Sequence, residues 1–211
     1  MDAHRPNPVY RAAWYLARFL LHTLFGYRVE GWENVPKEGP VILAANHLSI
    51  LDPIAIGAGV RRPVSFLARA DVFRLPLLSW LLPRLYAIPV ERGQSDLSAI
   101  KSAIRALERG MAFGIFPEGT RSRTGRLQPF KTGVAAIALR TGSPVVPVAV
   151  VGTDQAWPVG KKLFRLRRGI RVIYGQPISV PRAGRISHQE LENLTREIEA
   201  RVRELLPPQY R

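Results

Sequence analysis

The sequence predicts an α/β fold, a mixed and mostly parallel sheet flanked by helices. Short apolar runs with β-branched residues recur at Val41 to Ala45, Val64 to Ala68, Val145 to Val151 and Ile170 to Tyr174, each of the length and character of a buried strand. Between them lie segments of helical periodicity, most clearly Leu97, Ile100, Ile104 and Leu107. A chain of 211 residues can bury the core of one such domain and is short for two.

The elements follow in order. Residues 1–8 carry Pro6 and Pro8 and read as a flexible lead. Val9 to Tyr27 is apolar, with Arg11, Arg18 and His22 spaced seven and four apart on one stripe beside Tyr15. Trp14, Phe19, Leu20 and Leu24 are assigned to its apolar face. At about 1.5 Å per residue this helix spans roughly 25 Å, less than the ~30 Å hydrocarbon core, so it is expected to lie in a membrane interface. Packing on the protein's own core is the other reading. No small-residue cleavage site follows the run, so it is not read as a signal peptide. The expected division is an interfacial helix over 1–28 and the main domain over 29–211.

Gly31 to Gly39 is turn-rich, and the strand Val41 to Ala45 follows. Ile54 to Val60 begins a short helix containing Gly57 and Gly59, then comes the strand Val64 to Ala68 with Arg69 at its end. Phe73 to Leu85, rich in leucine with Trp80 between Pro76 and Pro83, predicts a buried helix. Ala87 to Val90 is a brief strand. Ser95 is expected to cap a helix that Gly110 stops, with Leu97, Ile100, Ile104 and Leu107 in the core. Gly133 to Arg140 is a small-residue helix ending at Gly142. Pro147 argues for an edge or a bulge in the strand Val145 to Val151. Lys161 to Arg168, K-K-L-F-R-L-R-R, fits a nucleic-acid patch, a solvated hairpin or, as favoured here, a membrane-facing loop. Ser187-x-x-Glu190 is a capping box ahead of Leu191, Leu194, Ile198 and Val202.

Composition narrows the chemistry. The chain has no cysteine, which removes disulfides, thiolate metal sites and a cysteine nucleophile. No G-x-S-x-G elbow is present. The histidines at 4, 22, 47 and 188 have no ligand spacing, so no metal is expected. A net charge of +15 attracts nucleic acid, anionic lipid and acidic proteins alike, and no nucleic-acid motif or zinc-finger spacing selects the first.

Two strand ends carry candidate functional groups. His47 follows the first central strand and Asp52 stands five residues later, before Pro53. Positions five apart on a helix point about 140° away from each other, so the two meet only if the backbone bends between them. Asp52-Pro53 reads as a helix cap followed by a first-turn proline. A carboxylate on one imidazole nitrogen fixes the tautomer and leaves the other as a base. Alone, such a pair is also what a loop histidine beside a helix cap looks like. The second strand end is A-F-G-I-F-P-E-G-T-R-S-R-T at 112–124. Gly119 can bring backbone amides close to an anion, and Arg121 offers a planar fork suited to phosphate.

Taken together, N-H-x-x-x-x-D at 46–52 and F-P-E-G-T-R-S at 116–122 resemble the lysophosphatidate acyltransferases, a glycerolipid acyltransferase family. Y-A-I-P-V-E-R at 86–92 matches too, as does V-V-P-V-A-V at 145–150 after F-K-T-G at 130–133. The likeness runs over roughly residues 30–180. It implies acyl transfer from acyl-CoA or acyl carrier protein to the 2-hydroxyl of 1-acyl-sn-glycerol 3-phosphate, giving phosphatidate without a cofactor. It also implies His47 as general base and Asp52 as its orienting partner, with Arg92 and Arg121, and Arg69 by a looser match, on the substrate phosphate. Glu118, Gly119 and Thr120 would shape the substrate loop, and residues 73–85 become a candidate acyl-chain wall. The expected partners are membrane lipids, a lysophospholipid acceptor and the acyl donor, at the cytoplasmic face of the cell membrane, with no nucleic acid. Rival readings are acylation of another lysolipid or of glycerol 3-phosphate, a basic nucleic-acid-binding protein, and a non-catalytic membrane adaptor.

Overall fold

The computed structural model of the protein describes residues 6–91, 96–161, 163–166 and 169–211. Seven strands make one sheet: β1 (Arg28–Glu30), β2 (Val41–Ala45), β3 (Val64–Arg69), β4 (Ile88–Val90), β5 (Ala112–Ile115), β6 (Val145–Val151) and β7 (Arg171–Tyr174). Their order is β1-β7-β6-β2-β5-β3-β4. Every neighbouring pair is parallel except β6 with β7. The helices are α1 (Pro8–Phe25), α2 (Asp52–Gly59), α3 (Pro76–Arg84), α4 (Asp96–Glu108), α5 (Gly133–Thr141), α6 (Thr153–Ala156) and α7 (His188–Leu205). The mixed, mostly parallel sheet expected from the sequence is the one found.

β2 lies in the middle of the sheet and all five of its residues are buried. Ile42 and Ala44 pack toward α4, α5 and α7, whereas Val41, Leu43 and Ala45 pack toward α1 and α2. A strand covered on both faces reads as a continuous apolar run, which is why β2 shows no alternation. Gly142, with φ of 68°, ends α5, and the Ser187–Glu190 capping box opens α7 as the sequence indicates.

Four expectations need correction. Pro147 sits in β6, which lies between β7 and β2, so the edge alternative fails, while the regular ladder with β7 stops at Val148 and pairing resumes only in a bridge from Val145 to Ile178. The missing N–H does no harm because the ladder with β7 covers only Val148 to Val151, and the Pro147 carbonyl accepts from Gly175 just past β7. The leucine-rich helix α3 contains no buried residue. In α4 the core face is Ala103, Ala106 and Leu107, with Ile100 and Ile104 partly buried and Leu97 exposed. In α1 the face holding Tyr10, Trp14, Leu21 and Phe25 turns inward, so Trp14 does not share a face with Phe19. The expected cap Ser95 lies outside the described residues, as do residues 1–5, Lys162, Arg167 and Arg168.

The inward face of α1 docks on α2, and the contact is polar as well as apolar. Trp14 Nε1 donates to the Val60 carbonyl at 2.8 Å and Arg18 to the Ala58 carbonyl at 3.1 Å. The hydroxyls of Tyr27 and Tyr174 donate to Ala55 and Ile56 at 2.5 and 2.6 Å. The donors of Trp14, Arg18 and Tyr174 serve carbonyls that a short, glycine-containing helix leaves unpaired at its end. Gly59 is required there, since a Cβ would stand 2.3 Å from the Tyr174 hydroxyl. The far face of α1 exposes Tyr15, Leu16 and Phe19. No helix of the described residues is long and apolar enough to cross a membrane.

Candidate active site

β2, β5, β3 and β4 lie side by side and run in the same direction, so their carboxyl ends open on one edge of the sheet. Ligand sites of open α/β sheets form at that edge. The loops leaving it carry, in spatial order, His47, then Glu118 to Arg121, then Arg69. Arg92, which follows β4 in the sequence, lies outside the described residues.

Asn46 starts the first loop. Its side chain copies a strand residue, donating to the Val150 carbonyl at 2.9 Å and accepting from the Val150 N–H at 2.7 Å. The backbone then bends, and His47 Nδ1 reaches Asp52 Oδ2 at 2.7 Å. The same oxygen accepts the N–H groups of Leu48 at 2.6 Å and Ser49 at 2.7 Å. Asp52 is fully buried and is the first residue of α2, whose N-cap is Leu51. The expectation that Asp52 caps α2 is therefore corrected: its carboxylate faces back to the loop, and the loop's amides and the helix N-terminus hold the charge in place.

Because a carboxylate accepts from Nδ1–H, the lone pair of His47 sits on Nε2. The imidazole is 19% exposed and is stacked on Phe116, with centroids 3.9 Å apart and planes 14° off parallel. Phe66 stacks in turn on Phe116 at 5.8 Å. The aromatic pair shields one face of the ring and leaves a base at the sheet edge.

The β5 loop grips the β2 loop at His47. Glu118 Oε1 accepts the His47 N–H at 2.7 Å and Oε2 accepts the Gln128 N–H at 3.2 Å, while the Ser122 N–H donates to the His47 carbonyl at 2.7 Å. Burial pushes the Glu118 carboxyl up to about 7, against the opposing pull of the two N–H groups and with help from the nearby Asp52 and Glu199 charges. Gly119 makes the turn with φ of 72°, and a Cβ there would meet the Lys131 side chain at 3.0 Å. Thr120 and Arg121 are exposed beyond it. Arg69 is exposed and paired with Asp71.

His47, Asp52 and Glu118 are thus brought into one hydrogen-bonded unit. Arg121 and Arg69 are exposed on loops of the same edge. Sequence reasoning does not find the Phe116 stack, the grip of Glu118 on backbone, or Lys131 beside Gly119. An apolar cavity of about 230 Å³ is lined by Trp14, Ala17, Ile54 and Phe66 among others, and takes Leu82 and Leu85 from the candidate acyl-chain wall. Its only advance signals are the apolar second face of α1 and the leucines of α3. Among the described residues no group of three or more His, Asp or Glu is placed to hold a metal ion.

A family model described as Acyltransferase matches residues 26–151, a span that holds His47, Asp52, Glu118 and Arg121. The chain belongs to the acyltransferase family. Its relatives agree with that assignment. The 1-acyl-sn-glycerol-3-phosphate acyltransferase of Bacillus subtilis is 30% identical over 182 residues, 85% of this chain and 88% of that protein. A chloroplastic 1-acyl-sn-glycerol-3-phosphate acyltransferase of Brassica napus, BAT2, is 31% identical over 165 residues, 77% of this chain. This acyltransferase chain spans about half the length of the plant relatives, 48% in the case of BAT2. The crystal structure of the 1-acyl-sn-glycerophosphate acyltransferase PlsC from Thermotoga maritima superposes with a TM-score of 0.76 at 30% identity, covering 93% of this chain and 79% of that one.

Proposed function

We propose that the protein transfers an acyl group from acyl-CoA or an acyl carrier protein thioester to the 2-hydroxyl of 1-acyl-sn-glycerol 3-phosphate, forming phosphatidate. The observation that carries this reading is the His47–Asp52 pair at 2.7 Å, seated at the carboxyl edge of a sheet of acyltransferase topology. His47 Nε2 removes the hydroxyl proton as the oxygen attacks the thioester carbonyl. The imidazolium that results lies between the Asp52 carboxylate and the Phe116 ring. Collapse of the tetrahedral adduct breaks the C–S bond, and the departing thiolate takes the proton back from His47, so the base is regenerated.

Arg121 and Arg92 bind the acceptor phosphate, with Arg69 at the margin of the same edge, while Gly119 and Thr120 shape the loop that presents Arg121. Glu118, which the resemblance places in the substrate loop, is assigned a positioning part. Both its oxygens are taken by backbone N–H groups, so it positions the His47 loop. The outward face of α1 serves as the membrane-interface element of residues 1–28, ahead of the acyltransferase domain over 29–211, at the cytoplasmic face of the membrane. The apolar cavity behind Phe66 accommodates an acyl chain.

The test is product separation after the purified protein is offered a panel of lysolipids and glycerol 3-phosphate with one labelled acyl donor. Phosphatidate as the main product is the expected result. A main product from an acceptor without phosphate, or from glycerol 3-phosphate, would replace the acceptor assignment.

A further inference from the structure

The acyl-transfer reading accounts for Leu82 of α3, which lines the cavity, and leaves the exposed side of that helix unexplained. α3 is a nine-residue helix, P-L-L-S-W-L-L-P-R, with no buried residue. Leu77 is 71% and Trp80 49% exposed, and Leu75 just before the helix is exposed too. Leucine and tryptophan on this scale are ordinarily placed inside, so a helix built of them and left outside marks a contact surface.

Its position is fixed. The chain leaves α3 through Tyr86, whose φ of 61° makes it the one non-glycine residue with positive φ among those described. The Ala87 N–H returns to the Leu82 carbonyl at 3.0 Å and the Tyr86 N–H to Pro83 at 3.1 Å, a left-handed stop normally made by glycine. Tyr86 also packs edge-on against Tyr10 of α1 at 5.5 Å. Asn7, the cap of α1, donates its Nδ2 to the Arg84 carbonyl at 2.8 Å and its backbone N–H to the Tyr86 hydroxyl at 3.3 Å. The end of α3 is therefore stapled to the start of α1. The two helices share the wall of the apolar cavity, α1 through Ala13 and Trp14 and α3 through Leu82.

We propose that α3 is a second membrane-contacting element, which with the outward face of α1 seats the mouth of the apolar cavity against a lipid bilayer. This rests on the acyl-transfer reading for its purpose, since the acceptor is then a lipid whose chain must pass from bilayer to cavity. A bilayer fits the chemistry of the helix itself. Apart from Ser79, whose hydroxyl donates to the Pro76 carbonyl, apolar side chains occupy its exposed surface, and cations stand only at its ends, at Arg74 and Arg84. Arg84 lies over the Trp80 ring at 4.4 Å and donates to the Trp80 carbonyl at 2.7 Å. A tryptophan joined to an arginine is what the headgroup boundary favours. An acidic soluble partner would call for cations along the helix, and there are none between Arg74 and Arg84.

The chain has no cysteine, so a Leu77→Cys variant of the full chain takes a single polarity-sensitive nitrobenzoxadiazole label. It is mixed with vesicles of phosphatidylcholine and phosphatidylglycerol, with and without brominated acyl chains. The expected result is a rise in label emission on vesicles and its quenching by the brominated chains. Leu77→Glu with Trp80→Glu should lower vesicle co-sedimentation about tenfold or more, since two apolar side chains no longer enter the bilayer. The same double variant should keep its melting temperature and its rate on a monodisperse short-chain lysophosphatidate. A label that stays water-exposed while the protein sediments with vesicles overturns the proposal. So does a double variant that sediments like the parent, or a label shielded without vesicles in a dimer that the double variant abolishes. If the label enters the bilayer but the parent acylates no lysolipid, the proposed function fails and the surface stands.

Discussion

His47 is held from several directions: Asp52 on Nδ1, Phe116 against its ring, Glu118 on its N–H and Ser122 on its carbonyl. Asp52→Asn keeps the shape but can present an amide N–H to Nδ1, which turns the proton onto the wrong nitrogen. A fall of about 10²–10⁴ in kcat with little change in melting temperature is expected. Steady-state kinetics with circular-dichroism melts check it, and an equal loss of stability would make Asp52 structural. Glu118 gives a pH signature. Its native value of about 7 exceeds the ordinary 4.5. Between these values the folded chain holds a proton that the unfolded chain has released, so this group's contribution to stability falls as pH rises through that window and is flat above it. Relative to Glu118→Gln, which does not titrate, the parent should lose ground between about pH 4.5 and 7, by at most about 1.4 kcal/mol per unit. Denaturant midpoints at stepped pH measure this, and a constant difference would contradict it. The His47–Asp52 pair is legible in the sequence because Asp52-Pro53 marks a helix start after a bend. The grip of Glu118 on His47 is not, because a side chain bonding to backbone 71 residues away leaves no periodic trace.

Among the elements, α1 and α2 act as a pair. The donors of Trp14 and Arg18 close the carboxyl end of the helix whose first residue is Asp52. Trp14→Ala removes a hydrogen bond and a half-buried ring, and should cost about 2–4 kcal/mol. The measurement is chemical denaturation of the full chain, and a cost below about 0.5 kcal/mol would show α1 to be loosely attached. The helix itself and its basic stripe are legible from the spacing of Arg11, Arg18 and His22. That the helix has two apolar faces, one docked and one free, is not. Hydropathy gives the same signal for a face buried in protein and one left for lipid. The same ambiguity explains α3, where leucines read as burial yet lie outside. In α4 the core face is Ala103 and Ala106 beside Leu107, while Leu97, in the first turn, stays exposed.

At the scale of the molecule, a charge of +15 is joined to a parallel-sheet edge bearing Arg121, Lys131 and Arg69. Arg121→Ala should raise KM for phosphorylated acceptors about tenfold to a hundredfold, the worth of one charge-assisted hydrogen bond, and spare kcat. Kinetics against acceptors with and without phosphate decide it, and an equal effect on both would remove the phosphate role. The fold class is legible because β2, β5 and β6, at the centre of the sheet, are unbroken apolar runs of strand length. Strand order is not, since long-range pairing such as β2 between β5 and β6 is set by packing of α4, α5 and α7 on one face and α1 and α2 on the other. In the proposed reaction His47 removes the proton from the acceptor hydroxyl. The most direct measurement is the rate of labelled acyl transfer to 1-acyl-sn-glycerol 3-phosphate by purified His47→Ala beside the parent, with matched melting curves. A folded protein whose turnover is lower by about 10²–10⁴ is expected, and a folded variant that transfers acyl groups at near the parent rate would contradict His47 as the base.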